Sequence, residues 1–179
     1  MNQRFHTSQV PRQSWEWIKR HLPNRHSLLE STSQGGETVE VSQQDQYIVI
    51  ELGAEKYALK ISEVYEIIKM QKITAVPNSK TFLEGVTNIR GKIVPIISLR
   101  KRFQLGETAV TPKTRIVVVN HNEEMIGIVV DGVNQVIRFS EIQPATEIVA
   151  GIDSSYLQGI GLSEEGLIGI LNLHHVLVG

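Results

Sequence analysis

The sequence predicts a mainly β chain: two similar five-stranded barrel lobes packed together, with only short helices. Three observations point there. Short runs rich in β-branched and aromatic residues recur between glycine and asparagine turns. These runs fall into two sets with the same order and the same apolar positions, at a period of about 70 residues, which is too long for a solenoid unit and suits two like lobes. Hydrophobic residues make up 41% of the 179 positions, enough for a packed core.

The elements follow in chain order. Tyr47–Leu52 reads as a strand, Gly53-Ala54-Glu55 as a turn and Tyr57–Lys60 as the returning strand. Ile61–Met70 is assigned a short helix after Ser62, with Glu63 and Glu66 suited to its first turns. Ile73 and Pro77 lead into Phe82-Leu83-Glu84-Gly85-Val86, Gly91 marks a turn, and Ile93–Leu99 is a further strand with a helical turn over Leu99–Phe103. The second set opens with Arg115–Val119, turns at Asn120-His121-Asn122 and returns through Met125–Val130. Val133-Asn134-Gln135-Val136-Ile137 then answers to Val64-Tyr65-Glu66-Ile67-Ile68. Tyr156-Leu157-Gln158-Gly159-Ile160 answers to Phe82–Val86, and after Gly166 the run Ile170–Leu173 answers to Ile96–Leu99. A last helical turn is assigned to Leu171–Leu177.

The resulting organisation is a body over 46–179, with lobe one about 46–105 and lobe two about 112–178, the termini free to cross between lobes. Closure into barrels removes the exposed edges that short strands would leave in an open sheet. A lobe of about 65 residues has a marginal core alone, so two lobes gain by sharing an apolar seam. The runs Ile93–Leu99 and Ile126–Val130 fit strands covered on both faces.

The net charge of −1 conceals an asymmetry. Arg4, Arg12, Lys19, Arg20 and Arg25 stand against Glu16 alone, and Glu30, Glu37, Glu40 and Asp45 follow with no base among them. Residues 1–45 read as a flexible extension, because Ser27–Asp45 is rich in Ser, Thr, Gln and Gly and has little to bury. Within it, residues 14–22 can form a short amphipathic helix with Trp15, Ile18 and Leu22 on one face, ended by Pro23. About two turns of helix need a surface to lie on. The other reading is a plain tail with two incidental tryptophans.

Several classes are excluded. With 0 Cys there are no disulfides, thiolate metal sites or Cys nucleophiles. Neither a phosphate-cradling glycine loop nor a Gly-x-Ser-x-Gly nucleophile turn occurs. His174 and His175 are adjacent and diverge on a helix or strand, so they share no metal. Glu123-Glu124 reads as a solvated hairpin tip and Asp131 as a cap or turn acid. No cofactor, metal or catalytic residue is expected. No apolar run approaches the roughly 20 residues of a membrane span, and the N-terminus lacks a signal-like stretch. The Arg100-Lys101-Arg102 triplet has no interleaved aromatics, which makes it weak as a nucleic-acid surface. Arg90 stands between an apolar strand and a glycine turn, where a guanidinium suits a partner's carboxylate or carbonyl; the other reading, which composition alone favours, is a solvated loop arginine.

The run Asn88-Ile89-Arg90-Gly91-Lys92-Ile93-Val94-Pro95-Ile96-Ile97-Ser98-Leu99-Arg100 closely resembles the signature of the CheW family, the coupling proteins of bacterial chemotaxis. Phe82–Thr87 before it and Gly127–Val133 in the second lobe match as well, and the resemblance extends in order from about Gln46 to Val178. It implies two SH3-like lobes and a non-catalytic adaptor. Such an adaptor joins the cytoplasmic tip of a methyl-accepting chemoreceptor to a CheA-type histidine kinase, whose regulatory domain shares the fold. It implies a cytoplasmic protein recruited to membrane-associated receptor arrays, not an integral membrane protein.

Carried over by position, Val64 and Glu66 match the receptor-binding groove, with Val133 and Val136 on its second-lobe side. Arg90 matches the receptor–kinase coupling residue, and Gly85, Asn88 and Gly91 match positions supporting turns and the interface. Ser98 stands where family members often have Asp, and the Trp-bearing head has no counterpart. A related class carries a phosphoreceiver domain, for which this chain leaves no room, so regulation by its own phosphorylation is not expected. The alternative is a nucleic-acid-binding barrel module in which Trp15 and Trp17 stack on bases. The balanced charge of the body argues against it.

Overall fold

The computed structural model describes residues 45–145, 152–164 and 166–178. The extension predicted over residues 1–45, with its helix at 14–22, lies outside them apart from Asp45. The strands are β1 (Tyr47–Leu52), β2 (Glu55–Lys60), β3 (Val64–Lys69), β4 (Leu83–Ile89), β5 (Lys92–Ser98), β6 (Arg115–His121), β7 (Glu124–Val130), β8 (Gly132–Ile137), β9 (Glu141–Gln143), β10 (Leu157–Ser163) and β11 (Gly166–Leu171). Among the described residues two α-helices occur, both short: α1 (Leu99–Arg102) after β5 and α2 (Leu173–Val178) after β11.

The strands form two sheets, ordered β8-β1-β2-β11-β10-β9 and β3-β6-β7-β5-β4. The fold is mainly β with two SH3-like lobes, as expected. The assignment of strands to lobes differs from chain order. The β1–β2 hairpin pairs with strands of the second set, the terminal crossing that the division at 46–105 and 112–178 allows, but β6–β7 also pairs with strands of the first, which that division does not foresee. Each set thus contributes its opening hairpin to the other's sheet. Sequence likeness exposes the period, whereas the choice of partner belongs to tertiary packing.

The repeat is otherwise kept in detail. β3 and β4 carry irregularities at Val64/Glu66 and Leu83/Gly85, and β10 carries one at Leu157/Gly159 that matches the second of these. The isolated bridge Thr74–Val86 stands where the other sheet has β9 beside β10. Such bulges sharpen strand twist, which lets short strands wrap around a core.

Each sheet encloses its own apolar cluster. Tyr47, Val49, Ala58, Phe139, Ile168 and Ile170 fill the six-stranded lobe, and Ile89, Val94, Ile96, Ile116 and Val118 fill the five-stranded one. The alternating residues Ile48, Ile50, Leu59, Val117 and Val119 are also fully buried, so the central strands are covered on both faces. β1 lies against β7, and the Tyr57 ring meets Phe103 at 5.8 Å, so the second faces form the shared seam.

One predicted element is corrected. Ile61–Met70 is not a helix. Ile61–Glu63 makes a single 3-10 turn, and Val64–Lys69 is strand β3. Val64, Tyr65, Ile67 and Ile68 are β-branched or aromatic and fit a pleated surface, and β3 satisfies its backbone on β6, from Val64 opposite Val119 to Lys69 opposite Arg115.

Ser98 takes the N-cap of α1, its hydroxyl accepting from the Lys101 N–H at 3.3 Å. Ser98→Ala is expected to cost about 1 kcal/mol of unfolding free energy by chemical denaturation. A loss below about 0.3 kcal/mol would remove the capping role.

Candidate functional site

The β4–β5 hairpin turns on Arg90 and Gly91, with φ of 52° and 84°. Two successive positive φ values match the two-residue turn that follows strand twist. Asn88 steadies it, its Oδ1 accepting the Gly91 N–H at 2.8 Å. A Cβ at Gly91 would meet nothing within 4 Å, so the backbone conformation alone calls for glycine. Gly85 sits in the β4 bulge, where a Cβ would collide with the Thr74 carbonyl.

Arg90 projects from this turn and donates through Nη2 to Glu66 Oε2 at 2.8 Å. The partners differ in exposure: 75% of the Arg90 side chain is exposed against 15% of Glu66. Glu66 is thus a recessed carboxylate on β3, and its Oε1 is buried with no hydrogen-bond partner among the described residues. It fixes one corner of the guanidinium and leaves the other donors directed outward, ready for a bidentate acceptor.

The remaining predicted positions fall into two groups. Val64 and Glu66 lie on β3, one edge strand of the five-stranded sheet, with Val64 buried. Val133 and Val136 lie half-buried on β8, the edge strand of the other sheet, opposite Ile50 and Ile48. The structure brings Arg90 to Glu66 and Asn88 to Gly91, and it places the two valine groups on different sheets. Tyr65, 50% exposed at the β3 bulge, is a surface residue that sequence reasoning passed over. Its signal was the alternation of a strand, hidden by the helical assignment.

The basic triplet is engaged within the body. Arg100 clamps Asp131 through Nε at 2.9 and 3.0 Å and Nη2 at 2.7 Å. Asp131 Oδ2 also accepts the Gly53 N–H at 2.6 Å, so the clamp joins the end of β5 to the β1–β2 turn of the other sheet. Burial pushes the Asp131 carboxyl up, but the hydrogen bonds from Arg100 and Gly53 outweigh it and hold it below its usual value. Lys101 pairs with Glu84 at 3.1 Å and Glu107 at 3.4 Å. Arg102 donates to the Val176 and His175 carbonyls at 2.9 and 3.0 Å and covers the Phe82 ring at 4.6 Å. A cleft of about 230 Å³ opens beside these groups, bordered by Met70, Ile73, Ser98 and Val129, and the charges on its wall are paired with one another. Three cations committed in this way offer little to a phosphate backbone.

Among the described residues no helix is long and apolar enough to cross a membrane. Residues 46–178 match the family model described as CheW-like domain. Among curated proteins, the chain is 35% identical over 152 residues to the chemotaxis protein CheW of Klebsiella aerogenes, covering 84% of this chain and 89% of that one. It is 34% identical to the chemotaxis protein CheW of Bacillus subtilis, over 78% of this chain and 91% of that one. A solved structure, that of the scaffolding protein TtCheW from Thermoanaerobacter tengcongensis, superposes with a TM-score of 0.71 at 33% identity, covering 79% of this chain and 93% of that one. These names belong to chemotaxis and scaffolding proteins, and none points to nucleic acid or to an enzyme.

Proposed function

Since the chain belongs to the CheW family of chemotaxis coupling scaffolds, we propose that it joins a chemoreceptor's cytoplasmic tip to a CheA-type histidine kinase without catalysing a reaction itself. The observation that carries this reading is the Arg90–Glu66 pair: an outward guanidinium on a strained hairpin tip, pinned by a recessed carboxylate on a sheet edge. Such a group recognises a carboxylate or carbonyl on a partner and transmits its orientation into the sheet. The receptor's helical tip lies in a groove lined by Val64 and Glu66 with Val133 and Val136 on the far side, its apolar face inward. Gly85, Asn88 and Gly91 keep the Arg90 hairpin in shape. The kinase's regulatory domain docks on a barrel surface, for which Ile93 and Leu167 are suited. They are 68% and 70% exposed and occupy matching places on the β4–β5 and β10–β11 hairpins. Each interface buries about 1,000–1,600 Å² and binds at micromolar strength. The protein works in the cytoplasm, recruited to receptor arrays at the membrane.

Arg90→Ala is expected to cost no more than about 1 kcal/mol, since the pair is largely exposed on the Arg side. In a reconstituted array of receptor, kinase and adaptor it should uncouple kinase activity from receptor ligand while both partners still bind. Collapse of the melting transition would instead make Arg90 structural, and ligand-responsive kinase activity with the variant would refute its coupling role.

A further inference from the structure

We propose that His121 and His174 form a two-imidazole binding site for a divalent late transition metal of the Zn2+ or Cu2+ kind, completed by the Asn122 side chain. His174 Nδ1 stands 3.3 Å from His121 Nε2, although 53 residues separate them in the chain. Two imidazole nitrogens bound to one tetrahedral Zn2+ at about 2.0–2.1 Å lie about 3.3–3.4 Å apart, the separation seen here. Asn122 Nδ2 stands 3.2 Å from the same His121 Nε2. A neutral imidazole nitrogen has one lone pair and serves one donor, so Asn122 and His174 compete for the same His121 nitrogen. A half-turn of the amide exchanges its nitrogen for its oxygen and supplies a third ligand atom. Imidazole nitrogen with amide oxygen and water is a donor set that suits borderline divalent metals.

Both histidines are carried on held backbone. His121 ends β6 and pairs with Glu124 across the β6–β7 hairpin, whose turn residues Asn122 and Glu123 have φ of 51° and 67°. His174 is the second residue of α2, which is fastened by the Asn172 Oδ1 bond to the His175 N–H and by Arg102 on the His175 and Val176 carbonyls. Glu123 and Glu124, exposed at the hairpin tip, add negative charge near the site. His175 is turned away, its Nδ1 on the Ser155 carbonyl at 2.7 Å, which makes it an internal control. A bound metal would fasten a hairpin of the five-stranded sheet to the helix that follows the six-stranded one. This inference rests on no part of the coupling role.

The test is calorimetric titration of the full, untagged chain with ZnCl2, alongside His121→Ala, His174→Ala and His175→Ala. The expected result is Zn2+ binding that either of the first two substitutions weakens by more than about 10-fold, the least that loss of a mere outer-shell partner costs, while His175→Ala leaves it unchanged. Zn2+ should also raise the melting midpoint of the wild type and not of His121→Ala or His174→Ala. With Cu2+, electron paramagnetic resonance should show coupling to two imidazole nitrogens. Absence of Zn2+ binding, or binding that survives both substitutions, overturns the proposal. If an alanine variant fails to fold, His121→Gln and His174→Gln decide by the same readout.

Discussion

Gly85→Ala is expected to lower the unfolding free energy by roughly 3–5 kcal/mol, combining strained backbone with an overpacked contact. Gly85 holds φ of +140°, a conformation L side chains rarely adopt, and an added Cβ would run into the Thr74 carbonyl. That carbonyl cannot retreat freely. Thr74 and Val86 exchange both backbone bonds, Thr74 N to Val86 O at 2.8 Å and Val86 N to Thr74 O at 2.9 Å, so the obstacle is tied to the strand carrying the glycine. Against a typical total of about 5–15 kcal/mol, the loss would leave the chain marginal. Gly91→Ala is the matched comparison: φ is +84° but the space is open, so only the left-handed penalty of about 1–2 kcal/mol applies. Urea denaturation of both variants separates the two effects. Equal midpoints for them would show that the Thr74 contact is yielding.

Asp131→Ala is expected to cost about 2–4 kcal/mol, because it strands the Arg100 guanidinium and the Gly53 N–H together. The side chains of the pair are only 19% and 25% exposed, so water compensates partly at best. The pair also gives stability a pH dependence of defined sign. The Asp131 carboxyl is held below its usual 3.8 in the folded protein. The contribution is therefore complete well above 3.8 and is lost as pH falls through that value toward the lower folded one. Wild type should lose stability relative to Asp131→Ala over that acid range, converging with it once both folded and unfolded carboxyls are protonated. A difference between the two that stays constant through the acid range would mean that the clamp is not ionic.

The strands were legible because hairpins are local: Tyr47–Leu52 and Arg115–Val119 alternate and branch as strands do, and turn residues bound them. The β3 segment was misread because two glutamates after Ser62 imitate a helix start, while the β-branched run behind them decided the outcome. Partner choice was hidden for another reason. Two similar sets of strands offer two ways of pairing hairpins, and only the packed seam separates them. The site was half legible. Arg90 is marked by its place before a glycine turn as well as by the family resemblance and Glu66 by the resemblance, but nothing in a spacing of 24 residues announces that they touch. Asp131 and Arg100 were read apart, as a turn acid and a surface base, although together they span the two sheets. His121 and His174 were likewise invisible as a pair, since the eye falls on the neighbours His174 and His175.

The exchanged hairpins bear on how the chain reaches its native state. Tyr57 finds Gly169, and Tyr47 finds Ile137, across most of the body's length, so the six-stranded sheet cannot close until late residues are available, whereas the five-stranded one is complete by Val130. Loops of that size carry a large closure entropy before any contact rewards them, which places folding among the slow, non-local topologies. During synthesis the first hairpin waits, unpaired along its outer edges, until β8 and then β11 emerge. Either set of strands cut out alone would lose the hairpin that the other set contributes to its sheet. The two lobes are therefore expected to unfold in one cooperative transition.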